Sequence, residues 1–294
     1  MNPAASSSIK TRLPFGTWPS PISADLLAER MRVGEALWGP ERGEFFWLQN
    51  ENGKGKLYRS RVNKSPTLLT EEKYDVGGMV GYGGGELAIG SDFLIFANRD
   101  GRLYRCDWNT GRIFPITPGW GSMASPTISK DQKWVLFVFS DGETDLIGLV
   151  NAHGFGWPAV LVSGADFYMH PQWHPEGELI AWVEWDNPFL PWQASRVKIG
   201  KVGGMQMKLL TEDWVAGSER QPATQPLFSP DGKSLSYIQA AGDWDQLVLY
   251  RLGDKKKKVL IEGEKISFGN PGWVQGQRFY GWSGDSQKIF YRLV

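Results

Sequence analysis

Two histidines, His170 and His174, stand four residues apart, a spacing that would put both imidazoles on one face of a helix. Two such rings can hold zinc. Pro171 and Pro175 exclude the helix, because a proline inside it removes a backbone donor and clashes with the preceding turn. The sequence therefore predicts that both histidines have structural roles beside a turn and bind no metal.

Three acidic residues at alternate positions, Asp141, Glu143 and Asp145, begin a pattern of calcium ligands. The pattern stops after the third position, where a calcium loop needs further ligands. We therefore assign these residues to a hairpin turn. For the whole chain we predict neither a metal site nor another cofactor.

A catalytic serine of the hydrolase type needs Gly-x-Ser-x-Gly, since small neighbours permit the strained turn between strand and helix. No such sequence occurs, and Gly281-Trp282-Ser283-Gly284-Asp285 lacks the final glycine. The single cysteine, Cys106, lies in the alternating Leu-Tyr-Arg-Cys-Asp-Trp, a pattern typical of a half-buried strand residue. We therefore expect no enzymatic activity from this chain.

Charge and hydropathy exclude several kinds of partner. The 294 residues carry 32 Lys+Arg and 32 Asp+Glu, so there is no net field to hold nucleic acid or an anionic membrane surface. The N-terminus lacks the apolar core of a signal peptide, and no stretch approaches the roughly 20 apolar residues needed to span a bilayer. A single cysteine fits a reducing compartment. We expect a cytoplasmic protein that binds neither nucleic acid nor membrane.

Short runs of period two follow Gly34, divided every eight to twelve residues by glycine, asparagine, aspartate or proline. This spacing is typical of antiparallel hairpins. One group consists of four predicted strands, after which the pattern of strands and turns begins again. These strands are Leu87–Gly90, Phe93–Asn98, Arg102–Trp108 and Arg112–Thr117. Four hairpin-connected strands are the unit of a propeller blade.

A repeat appears when the prolines are aligned. Pro126, Pro171, Pro226 and Pro271 are 45, 55 and 45 residues apart, and three of them precede a polar turn and a strand. Propeller repeats have periods of about 40 to 50 residues. The sequence therefore predicts an all-β protein, a β-propeller of four-stranded antiparallel blades, with about five complete blades and a partial sixth.

Two regions are predicted along the chain. Residues 1–33 form a tail with one short helix, Ala24–Met31, capped by Ser23 and packed on the propeller. Residues 34–294 form the propeller itself. Because the last repeat lacks an outer hairpin, either the N-terminal segment supplies the missing strands and closes the ring, or the propeller is truncated. We expect the second, with an open blade edge that could pair with another copy.

Five segments carry a more particular pattern: Trp18-Pro19-Ser20-Pro21-Ile22, Tyr82-Gly83-Gly84-Gly85, Asp166-Phe167-Tyr168, Trp185-Asp186-Asn187-Pro188-Phe189-Leu190-Pro191-Trp192 and Ser229-Pro230-Asp231-Gly232-Lys233. Together they resemble the N-terminal propeller of the prolyl oligopeptidase (S9) family, in its acylaminoacyl-peptidase and dipeptidyl-aminopeptidase-like branch. The resemblance implies a propeller that precedes an α/β-hydrolase domain and limits access to a Ser/Asp/His site. The hydrolase domain is absent from this chain, so we expect a non-catalytic domain that gates and orients peptides and docks on a hydrolase domain in cis.

Two of these segments are predicted to form the peptide entrance or the docking surface. The first is Tyr82, Gly83, Gly84 and Gly85, which could also be a tight entry into an inner strand. The second comprises Trp185, Asp186, Asn187, Phe189 and Trp192, in a blade that the longer spacing marks as carrying an insertion. Its aromatic side chains could also fold onto their own blade.

Two other functions remain open from the sequence. One is a stand-alone propeller that binds a protein or a small ligand through the aromatic loop. The other is a propeller glycosidase or lactonase, which would need carboxylates or metal ligands that converge on the channel.

Overall fold

The computed structural model describes residues 12–14, 17, 31–204, 207–269 and 271–294. The helix predicted over Ala24–Met31 lies outside the described residues except for Met31, and most of the predicted tail lies outside them too. The described residues form 22 strands and one helix of four residues, α1 (Pro191–Ala194). None of their helices is long and apolar enough to cross a membrane.

The strands form successive antiparallel sheets in chain order, five of four strands and a sixth of two. Sheet by sheet, their bounds are β1 (Arg32–Trp38), β2 (Glu44–Glu51), β3 (Lys54–Arg61), β4 (Thr67–Leu68); β5 (Leu87–Ile89), β6 (Leu94–Asn98), β7 (Arg102–Asp107), β8 (Arg112–Pro115); β9 (Ser122–Ile128), β10 (Trp134–Ser140), β11 (Asp145–Asn151), β12 (Ala159–Val162); β13 (Phe167–Trp173), β14 (Leu179–Trp185), β15 (Arg196–Gly203), β16 (Lys208–Ala216); β17 (Ala223–Phe228), β18 (Ser234–Ala241), β19 (Trp244–Arg251), β20 (Lys257–Ile261); and β21 (Tyr280–Trp282), β22 (Ile289–Tyr291).

The first strands of successive sheets lie side by side, since β5 contacts β9, β9 contacts β13 and β13 contacts β17. Each sheet therefore points outward from a common inner side, as propeller blades do. Among the described residues β22 pairs with β21 alone, and self-association through its other side stays a prediction.

Apolar clusters fill the seams between neighbouring sheets. Trp182 of β14 packs with Leu136 of the third sheet, whereas the adjacent Val183 packs with Tyr237 of the fifth sheet. Both faces of β14 are thus covered, and six of its seven residues are buried. Full burial of one such large apolar side chain contributes roughly 1.5–3 kcal/mol. Stacking of sheets is consequently the main source of stability.

The repeated prolines follow a bulge in three first strands. The residues before Pro126, Pro171 and Pro226 have left-handed backbones, with φ of 50° at Ser125, 52° at His170 and 52° at Gln225. At each of them the register with the second strand shifts. A proline has no N–H for a strand ladder, and a bulge removes the need for one. The repeated prolines in the sequence therefore mark a bend in the first strand of the third, fourth and fifth sheets.

The inserted segment of the fourth sheet contains α1. Its first residue is Pro191, which suits the first helical position, and the Leu190 N–H donates to Gln193 Oε1 at 2.9 Å. Sequence patterning predicted only an aromatic loop here. Trp185, assigned to that loop, is the last residue of β14, and the Asn187–Pro188 peptide bond is cis.

Candidate functional site

The two segments predicted to form an entrance or docking surface meet at a third aromatic residue, Trp273. The ring centroid of Tyr82 lies 5.3 Å from that of Trp273, and Trp192 lies 4.4 Å from it on the other side. Tyr82 is 75% exposed and Trp273 45% exposed. We call these three side chains the aromatic bridge. The sequence patterns pointed to Pro271 as a repeat position, but they did not assign the nearby Trp273 to the site.

The glycines of the first segment allow this approach. Gly84 and Gly85 have φ of 89° and 62°, a region that favours glycine. A Cβ atom on Gly84 would clash with the carbonyl oxygen of Gln275, and the Gln275 N–H donates to the carbonyl of Gly83 at 2.8 Å. The segment therefore packs its backbone against the residues that follow Trp273.

Those residues cross the inner side of the sheets, and we call 271–279 the crossing segment. Gln275 is only 4% exposed. Its Oε1 accepts a hydrogen bond from Ser125 Oγ at 2.9 Å, and its Nε2 donates to the carbonyl of Tyr168 at 2.8 Å. One side chain thus joins the first strands of the third and fourth sheets, while its backbone joins the loop before the second.

Two residues of the second predicted segment have structural partners. Trp185 is buried and stacks on Phe167 at 5.3 Å. The Asp186 carboxylate pairs with Arg196 Nη2 at 2.7 Å and accepts the N–H of Asp166 at 3.2 Å. Trp185 and Asp186 therefore hold the end of β14 in place rather than lining the aromatic bridge.

Asn187 and Phe189 lie on a different surface from Trp192. Asn187 is exposed, and its N–H donates to Asp166 Oδ2 at 2.9 Å. Phe189 borders a shallow surface depression together with Arg196 and Trp214, whereas Trp192 faces the crossing segment. The structure therefore brings Tyr82 and Trp192 together and separates Phe189 from them.

A cavity of about 230 Å³ lies beside Trp192, between the first strands of the fourth and fifth sheets. Its lining includes Met169, His170, Trp192, Gln225, Ile238 and Phe268.

The two histidines of the repeat, His170 and His174, differ in their hydrogen bonding. His174 is hydrogen-bonded, with Nε2 at 2.7 Å from the carbonyl of Gly232 and Nδ1 accepting the Glu176 N–H at 3.1 Å. His170 is buried and neither of its nitrogens has a partner in the described chain.

A carboxyl pair lies near the crossing segment. Glu35 Oε2 accepts the N–H groups of Glu86 and Leu87 at 2.7 and 2.8 Å. Burial raises the pKa of Glu35, although the positive charge of Arg278 opposes the rise. Burial and the adjacent Glu35 raise the pKa of Glu86 to about 7. The pair therefore retains a proton close to neutral pH.

No three His, Cys, Asp or Glu side chains of the described ranges are grouped as a metal site requires. Burial raises the pKa of the Cys106 thiol to about 12, so the thiol stays protonated. Ser283, in the incomplete nucleophile motif, donates to Asp285 Oδ1 at 2.6 Å within a turn. None of these groups is arranged for nucleophilic catalysis.

Solved structures share this architecture. A puromycin-hydrolyzing peptidase of Mycobacterium tuberculosis is 25% identical, with a TM-score of 0.80 over 94% of this chain and 46% of that one. Puromycin hydrolase is 22% identical, with a TM-score of 0.79, and the match covers 94% of this chain and 46% of that one. A prolyl endopeptidase is 12% identical, with a TM-score of 0.59, and the match covers 82% of this chain and 38% of that one. No family model and no curated protein matches the chain.

The matching part of these peptidases is their N-terminal propeller region. The resemblance to the S9 propeller and the all-β propeller fold are therefore confirmed. The chain spans about half the length of the peptidases that it matches. It matches their propeller and not their catalytic hydrolase domain.

Proposed function

We propose that the chain is the non-catalytic propeller of an S9-type serine peptidase, with five complete blades and part of a sixth. It gates and orients peptides for an α/β-hydrolase domain on which it docks. The five four-stranded sheets and the two-stranded sixth support the blade count. The likeness to the propeller of two puromycin-hydrolysing enzymes supports the association with a peptidase.

The aromatic bridge is the observation that carries the proposal. Tyr82 and Trp192, 110 positions apart in the chain, converge on Trp273 and expose a continuous apolar surface. Exposed aromatic clusters of this kind mark binding surfaces, because large rigid rings bury much area at a small entropic cost. An extended peptide can stack on such rings, whereas a folded protein cannot follow their curvature into the inner side of the sheets.

The crossing segment gives the gate a physical basis. Hydrogen bonds that join Gln275 with Gly83, Ser125 and Tyr168 hold the crossing segment across the inner ends of the second, third and fourth sheets. A peptide that passes the aromatic bridge therefore meets the crossing segment. Selection is steric, and the hydrolase domain would supply the catalytic groups.

Peptide binding tests the proposal. Fluorescence anisotropy of a labelled, unstructured octapeptide should show saturable binding, and puromycin should compete with it. Trp273→Ala should weaken binding at least tenfold, because one stacked or hot-spot aromatic residue is worth about 2 kcal/mol. Trp157→Ala removes an equally large exposed ring elsewhere, 73% exposed, and serves as the matched control. Equal loss in both variants, or no binding by the wild type, would refute the proposal.

Turnover tests the non-catalytic part. The purified chain should not hydrolyse chromogenic peptide anilides, since none of its described nucleophiles is activated. Hydrolysis that a serine-directed inhibitor abolishes would overturn this conclusion.

A further inference from the structure

The cavity beside Trp192 has the features of a small binding site that adjoins the aromatic bridge and shares Trp192 with it. Its volume of about 230 Å³ corresponds to roughly seven or eight water molecules at about 30 Å³ each. Drug-sized ligands occupy larger pockets, of about 300–1,000 Å³. The cavity therefore suits a molecule or a single residue with one ring.

His170 gives the cavity an unused hydrogen-bonding group. The residue is 3% exposed, and neither Nδ1 nor Nε2 has a partner among the described residues. The two equivalent bulge residues are satisfied: Ser125 Oγ donates to Gln275, and Gln225 Oε1 accepts the Phe279 N–H at 2.9 Å. At the same backbone bend, Ser125 and Gln225 thus have hydrogen-bond partners, whereas the side chain of His170 lines the cavity without one. Buried polar groups are rarely left without partners, so His170 is a hydrogen-bonding group available to a ligand in the cavity.

The charge state of His170 determines which chemical group of a ligand can hydrogen-bond to it. Burial, aided by the positive charge of Arg278, lowers the pKa of the imidazole to about 3. The ring is therefore neutral at physiological pH and offers one N–H donor and one acceptor nitrogen. A carboxylate would satisfy only the donor, and it would also face Asp245, whose Oδ2 already accepts from Ser267 and Phe268 at 3.1 Å. A neutral carboxamide offers both an acceptor and a donor.

The remaining walls are apolar. Met169, Ile238 and Phe268 are buried and line one side, and the Trp192 indole lines the other. Flat apolar walls favour a ring, since aromatic and aliphatic contacts supply most of the affinity of small pockets.

We propose that this cavity binds a small neutral carboxamide that carries an apolar ring, with His170 hydrogen-bonded to the amide and Trp192 packed on the ring. This inference goes beyond peptide orientation at the aromatic bridge, because the same cavity would serve a stand-alone propeller. The ligand is either a free amide or one residue of a peptide, which share this chemistry.

Titration calorimetry with benzamide tests the proposal, with benzoate as a charged control of the same shape. Benzamide should bind with 1:1 stoichiometry and at least tenfold more tightly than benzoate. His170→Ser should weaken benzamide binding tenfold or more, whereas His170→Gln should retain most of it. Both replacements suit the left-handed backbone, because the chain itself has serine and glutamine at positions 125 and 225. Melting temperatures within a few degrees of wild type would verify that the variants fold.

Equal affinity of wild type and His170→Ser, or no saturable binding of benzamide by the wild type, would overturn the proposal. Tyr82→Ala removes a ring of the aromatic bridge that does not line the cavity, so it should weaken octapeptide binding and leave benzamide binding unchanged. Failure of the cavity can thus be told apart from failure of the aromatic bridge. The tripeptide amide Ala-Ala-Phe-NH2 distinguishes the sources. Tighter binding than benzamide identifies a peptide residue as the ligand, and weaker binding identifies a free amide.

Discussion

Replacement of Gln275 by leucine should destabilise the protein strongly. Leucine is one atom shorter and makes no side-chain hydrogen bonds, so the bonds to Ser125 Oγ and the Tyr168 carbonyl are both lost. A typical hydrogen bond contributes about 0.5–1.5 kcal/mol, and a buried acceptor left without a donor costs about 1–3 kcal/mol. The Tyr168 carbonyl becomes such an acceptor. We expect a loss of about 2–4 kcal/mol in the free energy of unfolding.

Differential scanning calorimetry would measure this loss as a fall in melting temperature of roughly 4–16 °C, at about 2–4 °C per kcal/mol for a domain of this size. Gln277→Leu is the matched control within the crossing segment. The buried Oε1 of Gln277 has no hydrogen-bond partner in the described chain, so its removal should be neutral or slightly stabilising. If both variants melt at the wild-type temperature, or both fall equally, Gln275 does not join the sheets as argued.

Three further predictions follow from packing and charge. Gly84→Ala should cost at least 2 kcal/mol more than Gly53→Ala in urea denaturation, because both have positive φ but only the former meets a backbone oxygen, that of Gln275. Trp182→Ala should cost about 3–5 kcal/mol, since the side chain is wholly buried in a seam, and a loss under 1 kcal/mol would contradict the packing described. The pKa of Glu86 is raised to about 7, so protonated Glu86 stabilises the fold fully below pH 4.5, and this stabilisation is lost as the pH rises through about 7. Between these pH values the free energy of unfolding of the wild type should therefore fall by up to about 3 kcal/mol relative to that of Glu86→Gln. Parallel stability–pH curves for the two proteins would refute this assignment.

Much of the fold could be predicted from the sequence because its signals are local. Turn residues place the four strands predicted for the second sheet within two residues of their observed bounds, as for Arg102–Trp108 against β7 (Arg102–Asp107). The proline period predicted successive sheets correctly. Local patterning did not show which residues of the neighbouring sheets cover the two faces of β14, because those contacts join positions far apart in the chain.

The candidate site was predicted less well, because it depends on contacts between distant positions. Tyr82 and Trp192 were selected for their composition, but the residue that joins them, Trp273, looked like any repeat tryptophan. Gln275 carries no sequence signal, since a lone glutamine is usually exposed. His170 was assigned a structural role from its prolines, and only its burial beside a cavity shows two unpartnered nitrogens.

The crossing segment has a consequence for the order in which the molecule assembles. Gln275 bonds to partners 107 and 150 positions earlier in the chain, whereas each sheet forms between neighbouring strands. During synthesis the strands of all five four-stranded sheets therefore leave the ribosome before residue 275 does. Until then Ser125 and the Tyr168 carbonyl must be hydrated. The inner side closes last, in a long-range step that is slower than the hairpins before it, and ordering of the aromatic bridge around Trp273 marks the end of folding.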